Sequence, residues 1–187
     1  WCAAIAASAP KLPFYYYHMP SMTGFNVAVA EFLAAAAPRI PTLAGVKFTH
    51  EDLADFARCI AFDGGRFDVL FGRDELLHSA LRVGAEGAVG STYNFAAPLY
   101  LRLIAAHEAG DEEQAAALQR TAVEMIAACV KAGGHPIANF KSLMPHLQVA
   151  CGGCRPPLAN PSRDQAERLR TRLEALGCLA GAGAGPA

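Results

Sequence analysis

Lys47 stands inside the apolar run LAGVKF, residues 43–48. A lysine flanked by strand-forming apolar residues either sends its amine to solvent or holds it in a cavity. On an exposed edge it would only discourage edge-to-edge pairing. In a cavity, desolvation disfavours the ammonium form and supplies the neutral amine that attacks a carbonyl carbon. Such an amine condenses with a ketone to a protonated Schiff base, an electron sink for making or breaking the adjacent carbon–carbon bond. The reaction also needs a group that moves a proton on and off oxygen, a task for a tyrosine hydroxyl within hydrogen-bond reach. The run LPFYYY offers Tyr15, Tyr16 and Tyr17. Alternation sends Tyr15 and Tyr17 to one face of a strand and Tyr16 to the other, and spacing alone does not choose among them.

The elements that must position these groups follow from periodicity. Four strand-like runs, LPFYYY (12–17), LAGVKF (43–48), FDVLF (67–71) and EGAVGS (86–91), are each followed by a helical pattern. Strand and helix in alternation read as successive βαβ units and a parallel sheet. Asp52, Asp74 and Asn94 stand where helix starts favour capping or first-turn polar groups. The carboxyl ends of the four runs carry Tyr17 and His18; Lys47 and Thr49; Gly72, Asp74 and Glu75; and Gly90 and Ser91. Barrels and open α/β sheets place their sites along that edge, and this clustering favours the cavity for Lys47. Asp74 and Glu75 suit the first turn of a helix and equally the hydroxyls of a polyol. Gly72, Gly87 and Gly90 allow close backbone approach or tight turns. The spacing Gly84-x-x-Gly87-x-x-Gly90 is no dinucleotide fingerprint, because it runs into a strand instead of opening a helix. His18 reads as a satisfied loop residue in preference to a proton relay.

After residue 110 the strand patterns stop. A long amphipathic helix is expected over 111–132, ended by Gly133 and Gly134, then a shorter one in HPIANFKSLMPHL and a terminal one in SRDQAERLRTRLEALG. The expected organisation is therefore 1–110 for the sheet and its helices, 111–178 for a helical segment packed on it, and 179–187 for a flexible tail. Acids and bases are intermixed at a net charge of -1, which argues against a nucleic-acid partner. The longest apolar stretch, VAVAEFLAAAAP, is interrupted by Glu31 and closed by Pro38, so no membrane association is expected. The opening WCAAIAASAPK lacks the basic leader of a signal peptide, and Trp1 is not an initiator, so a fragment is expected. The six cysteines show no framework spacing, and Cys151-x-x-Cys154 has no second pair to complete a zinc site. Free thiols, a cytoplasmic setting and no metal are the expectations.

The motifs LPFYYYHMPSMTG, GVKFT, FGRDE and GAVGSTYN, in this order and spacing, resemble the pyruvate-dependent aldolase family of dihydrodipicolinate synthases and N-acetylneuraminate lyases, the animal-type lyases above all. The likeness runs through CRPPLANPSR and covers all but the tail. It implies an α/β fold, an incomplete (β/α)8 TIM barrel with strands corresponding to the fifth through eighth, followed by C-terminal helices. It implies that Lys47 is the Schiff-base lysine, that Tyr17 is the proton-shuttling tyrosine, and that Thr49, Gly72, Asp74, Glu75 and Ser91 contact a sugar acid. The implied reaction is reversible cleavage of N-acetylneuraminate (sialic acid) to N-acetylmannosamine and pyruvate, with no cofactor beyond the covalent imine and a homotetrameric assembly. The family's Gly-Ser/Thr-Thr-Gly-Glu run, which binds the pyruvate carboxylate, is absent, as is its second relay tyrosine. The chain alone is accordingly expected to be inactive. A sibling aldolase and a non-catalytic truncated product are the alternatives.

Overall fold

The computed structural model describes residues 1–179, and the chain divides into two compact units, Trp1–Val89 and a second beginning at Gly90. Apart from Leu179, the expected tail lies outside the described residues.

The first unit is built on a parallel three-stranded sheet in the order β1 (Phe14–His18), β2 (Leu43–Phe48), β3 (Asp68–Phe71). Helix α1 (Cys2–Ala7) precedes it. Helices α2 (Pro20–Thr23) and α3 (Val29–Ala36) connect β1 to β2, and α4 (Leu53–Ala61) connects β2 to β3. A 3-10 turn at Asp74–Leu76 then leads into α5 (Leu77–Arg82). Alternation decides the core. Val46, Phe48, Val69 and Phe71 point to the helix side and pack with Leu33 of α3 and Phe56 of α4. The rings of Phe48 and Phe71 stand 5.4 and 5.0 Å from that of Phe56, in tilted and edge-on contacts.

The expected fourth strand over 86–91 does not form. Residue Ala88 makes a single parallel bridge to Phe71, through Phe71 N–H to Gly87 O and Val89 N–H to Phe71 O. Gly87 and Gly90, on either side of one alanine and one valine, leave a strand little side chain to pack, so pairing stops at that bridge.

The N-cap of helix α3 is Ala28, whose methyl group cannot accept a hydrogen bond. The cap comes from another element. Asp55, only 2% exposed on α4, accepts from the Val29 N–H at 2.5 Å and the Ala30 N–H at 3.4 Å, and Arg58 donates to it at 3.1 Å. One carboxylate thus caps α3 and fixes it against α4. Asp52 caps α4 itself, accepting from the Asp55 N–H at 2.9 Å.

The second unit is helical. Helix α6 (Tyr93–Glu108) kinks at Ala96, two residues before Pro98, whose ring cannot donate to the preceding turn. Asn94 lies inside this helix instead of capping it, and its side-chain amide donates to Ser91 O at 2.9 Å. Helix α7 (Glu112–Lys131) is capped by Asp111, and α8 (Pro136–Leu143) is tied to it by the buried Asn139, which donates to Cys129 O at 2.7 Å. A capping box of Ser162 and Gln165 opens α9 (Arg163–Ala175). Burial raises the Cys59 and Cys129 thiols to about 12 and Cys178 to about 11, so these three stay protonated at neutral pH. Among the described residues no helix is long and apolar enough to cross a membrane.

Replacing Asp55 with alanine leaves the Val29 and Ala30 donors without their acceptor in a buried setting. The expected loss is about 2–3 kcal/mol of folding stability, read from the urea unfolding midpoint, with Asp55→Asn losing less.

Candidate active site

The sheet face away from the helices carries Tyr15 and Tyr17 from β1, Gly45 and Lys47 from β2, and Asp68 and Leu70 from β3. The parallel register sets Tyr17 directly beside Lys47, and Lys47 Nζ lies 4.3 Å from the centroid of the Tyr17 ring. Geometry thus singles out one tyrosine of the three. Tyr15 is one pair further back, donating to Asp68 Oδ2 at 2.8 Å, and that bond is the first cause of its raised pKa. Gly45 makes this crossing possible, because a β-carbon there would collide with the Tyr15 ring and the Asp68 carbonyl. Tyr16 points to the helix side, its hydroxyl 3.3 Å from His18 Nδ1.

Two details differ from the sequence expectation. The amine meets the face of the Tyr17 ring, while the hydroxyl donates to Met19 Sδ at 3.3 Å. The expected closed cavity also does not form among the described residues, where Tyr17 is 46% and Tyr15 40% exposed. Three strands cannot close on themselves, so this face of the sheet stays open.

The rim beyond the strands is built by continuing the ladder. Thr49 N–H donates to His18 O and Gly72 N–H to Phe48 O, both at 2.8 Å, which carries Thr49 and Gly72 to the same edge as Lys47. They are in close contact: a β-carbon at Gly72 would overlap the Thr49 side chain and press on Lys47 Cε. The Thr49 hydroxyl oxygen is buried without a hydrogen-bond partner among the described residues, a placement that costs free energy until something occupies it. Asp74 is 7% exposed at the start of the 3-10 turn. Glu75 is turned toward Arg73, whose Nε lies 3.6 Å from its carboxylate. Ser91 belongs to the second unit, where it is exposed and accepts from Asn94.

Sequence reasoning missed the charges that organise this rim. Arg73 Nη1 donates to Glu51 at 2.8 Å, and Glu51 also lies 3.4 Å from His50 Nδ1. One guanidinium therefore ties the loop after β2 to the loop after β3. No motif signals that pairing, because the partners are brought together by the register of two strands. His18 is 1% exposed and lies on the helix side of β1, away from Lys47. Burial lowers its pKa, helped by the neighbouring His50, whose ring is 5.6 Å away.

Residues 1–176 match the Dihydrodipicolinate synthetase family. The chain belongs to that family. It is 39% identical over 177 residues to the N-acetylneuraminate lyase of Mus musculus, covering 94% of this chain and 55% of that protein. Among solved structures it superposes on the Aliivibrio salmonicida N-acetylneuraminate lyase (sialic acid aldolase) with a TM-score of 0.89 and 41% identity, covering 96% of this chain and 59% of that one. A Ruminococcus gnavus sialic acid aldolase, solved as a catalytic lysine mutant, superposes with a TM-score of 0.82 at 27% identity, covering 94% and 58%. The chain thus spans about half the length of the curated relatives it matches. Its fold class is the expected one, an incomplete (β/α)8 barrel followed by C-terminal helices.

Two outcomes follow from this geometry. Gly72→Ala should lower stability by about 1–3 kcal/mol in urea unfolding, because the rigid strand end cannot move away from Thr49. For His18 the folded pKa lies below the unfolded value near 6.5, so its contribution is complete above that pH. Stability should fall as pH drops through the interval between the two values, and His18→Gln should flatten that part of the pH–stability curve.

Proposed function

We propose that the protein to which this chain belongs is a Schiff-base lyase that cleaves N-acetylneuraminate reversibly to N-acetylmannosamine and pyruvate. The observation that carries this reading is the placement of Lys47 Nζ 4.3 Å from the ring of Tyr17, at the carboxyl edge of a parallel sheet. The relatives supply the chemistry. The named proteins are N-acetylneuraminate lyases, and one structural relative is described by its catalytic lysine. Of the four lysines in this chain, Lys47 alone lies in a strand.

The Lys47 amine attacks the substrate's ketone carbon, and loss of water gives the protonated imine. The carbon–carbon bond beyond the adjacent carbon then breaks. Its electron pair passes to the iminium as an enamine, while the Tyr17 oxygen takes the proton of the hydroxyl that becomes the aldehyde. Reprotonation and hydrolysis release pyruvate and restore the amine. No metal or external cofactor takes part. Thr49 and Gly72 shape the wall beside the imine, Asp74 and Glu75 accept from the sugar hydroxyls, and Ser91 adds a further contact. Residues 1–110 serve as the second half of the barrel and 111–178 as the helical segment packed on it. The whole protein is a cytoplasmic homotetramer acting on sialic acid, pyruvate and N-acetylmannosamine.

The open face around Tyr17 supports a second statement, that this chain by itself is inactive. A barrel closes with eight strands, and closure is what dries the amine.

Borohydride reduction in the presence of pyruvate, followed by mass spectrometry, tests both statements. Residues 1–187 alone should give little adduct. The chain joined to the preceding strands of a relative should give an adduct at Lys47 that disappears in Lys47→Arg. It should also cleave N-acetylneuraminate in preference to condensing pyruvate with aspartate semialdehyde; the reverse preference would make it a sibling aldolase. Efficient trapping by residues 1–187 would show that the remaining strands are dispensable.

A further inference from the structure

In the second unit, the carboxyl end of α7 and one side of α9 border a cleft of about 470 Å³. That volume lies within the range of small-molecule sites, about 300–1,000 Å³. Its charged and amide side chains are Lys131, Gln165, Arg168 and Arg172, and no aspartate or glutamate lines it. Gln165, Arg168 and Arg172 are spaced three and four residues apart, which aligns them along one side of α9. The α7 side contributes Ala128, Ala132 and Gly133, small residues that leave the space open.

Every charged or amide side chain here is placed to donate. Among the described residues, Lys131, Arg168 and Arg172 make no ion pair, whereas Arg170 of the same helix is paired with both Glu167 and Glu174. The neutral donor is oriented as well. Gln165 Oε1 accepts from the Ser162 N–H at 2.7 Å, which fixes the amide and turns Nε2 toward Gly133. Gly133 has φ +88°, and a β-carbon there would collide with that amide. Helix dipoles account for a cation in the last turn of α7 and of α9, where Lys131 and Arg172 stand. They do not account for Arg168, nor for the convergence of all three cations on one cleft.

We infer that this cleft binds a small multivalent oxyanion, a phosphate ester or a polycarboxylate, through Lys131, Arg168 and Arg172, with the Gln165 amide as a further donor. The site lies wholly in the second unit and is independent of Lys47 and of the proposed lyase chemistry.

Calorimetric titration of residues 1–187 with sodium pyrophosphate and, separately, sodium citrate tests the inference, with sodium chloride at matched ionic strength as the reference. Saturable one-to-one binding of at least one probe is expected. Arg168→Gln and Arg172→Gln should each weaken it by about tenfold or more. Lys11→Gln, which removes a cation from the other unit, should leave it unchanged. Binding of pyrophosphate alone assigns a phosphate ester, citrate alone a polycarboxylate, and both an unselective oxyanion site. Circular dichroism checks that the variants keep their helices. Should either arginine variant lose them, Lys131→Gln replaces it with the same expected loss. Heats that do not saturate, or that match sodium chloride, would overturn the inference. So would an equal loss in Lys11→Gln.

Discussion

The pairing register of β1 and β2 is the constraint on which the candidate site depends. The pairing shifts once, between Phe14 and Tyr15, and from Tyr15 onward the strands run in step, so one choice of register fixes every neighbour along that stretch. Here it sets Tyr17 against Lys47 and His18 against Phe48. A slip of one residue would bring Tyr16 or His18 beside the amine and would turn Tyr17 into the core. The register is held from the other side of the sheet, where Val46 and Phe48 are wholly buried. The packing that stabilises the fold therefore also places Tyr17 beside Lys47.

The two faces of this sheet are in different states. The helix side is packed, with buried Phe48 and Phe71 both against the Phe56 ring and a buried carboxylate capping α3 from α4. The other side is open, and its tyrosines remain substantially exposed. Folding of the helix side and enclosure of the amine are thus separable, and this chain supplies the first. At the rim, Arg73 bridges the loops after β2 and β3, and the buried Thr49 hydroxyl has no hydrogen-bond partner among the described residues.

Much of this was legible in the residues. The run LAGVKF becomes a strand with the expected bounds, and its Val46 and Phe48 are buried in the core on the helix side. Asp52 caps α4 as its position suggested. The run EGAVGS failed as a strand because glycines cannot pack, and a pattern of small residues does not reveal that. Asn94 looked like a helix start and lies inside the helix, since Thr92 precedes the first turn. Arg73 had no explanation in the sequence. Its partner Glu51 is 22 residues away, and only the adjacent strand ends bring them together.

By itself the sequence determined the alternation of strands and helices, the family, and which side chains share a face, because these depend on local periodicity and on motifs in fixed order. The tertiary structure decided which tyrosine stands beside the lysine, how open that face is, and which charges pair across the strand ends. Those properties depend on register and on what covers a surface, and both are set by residues far apart in the chain.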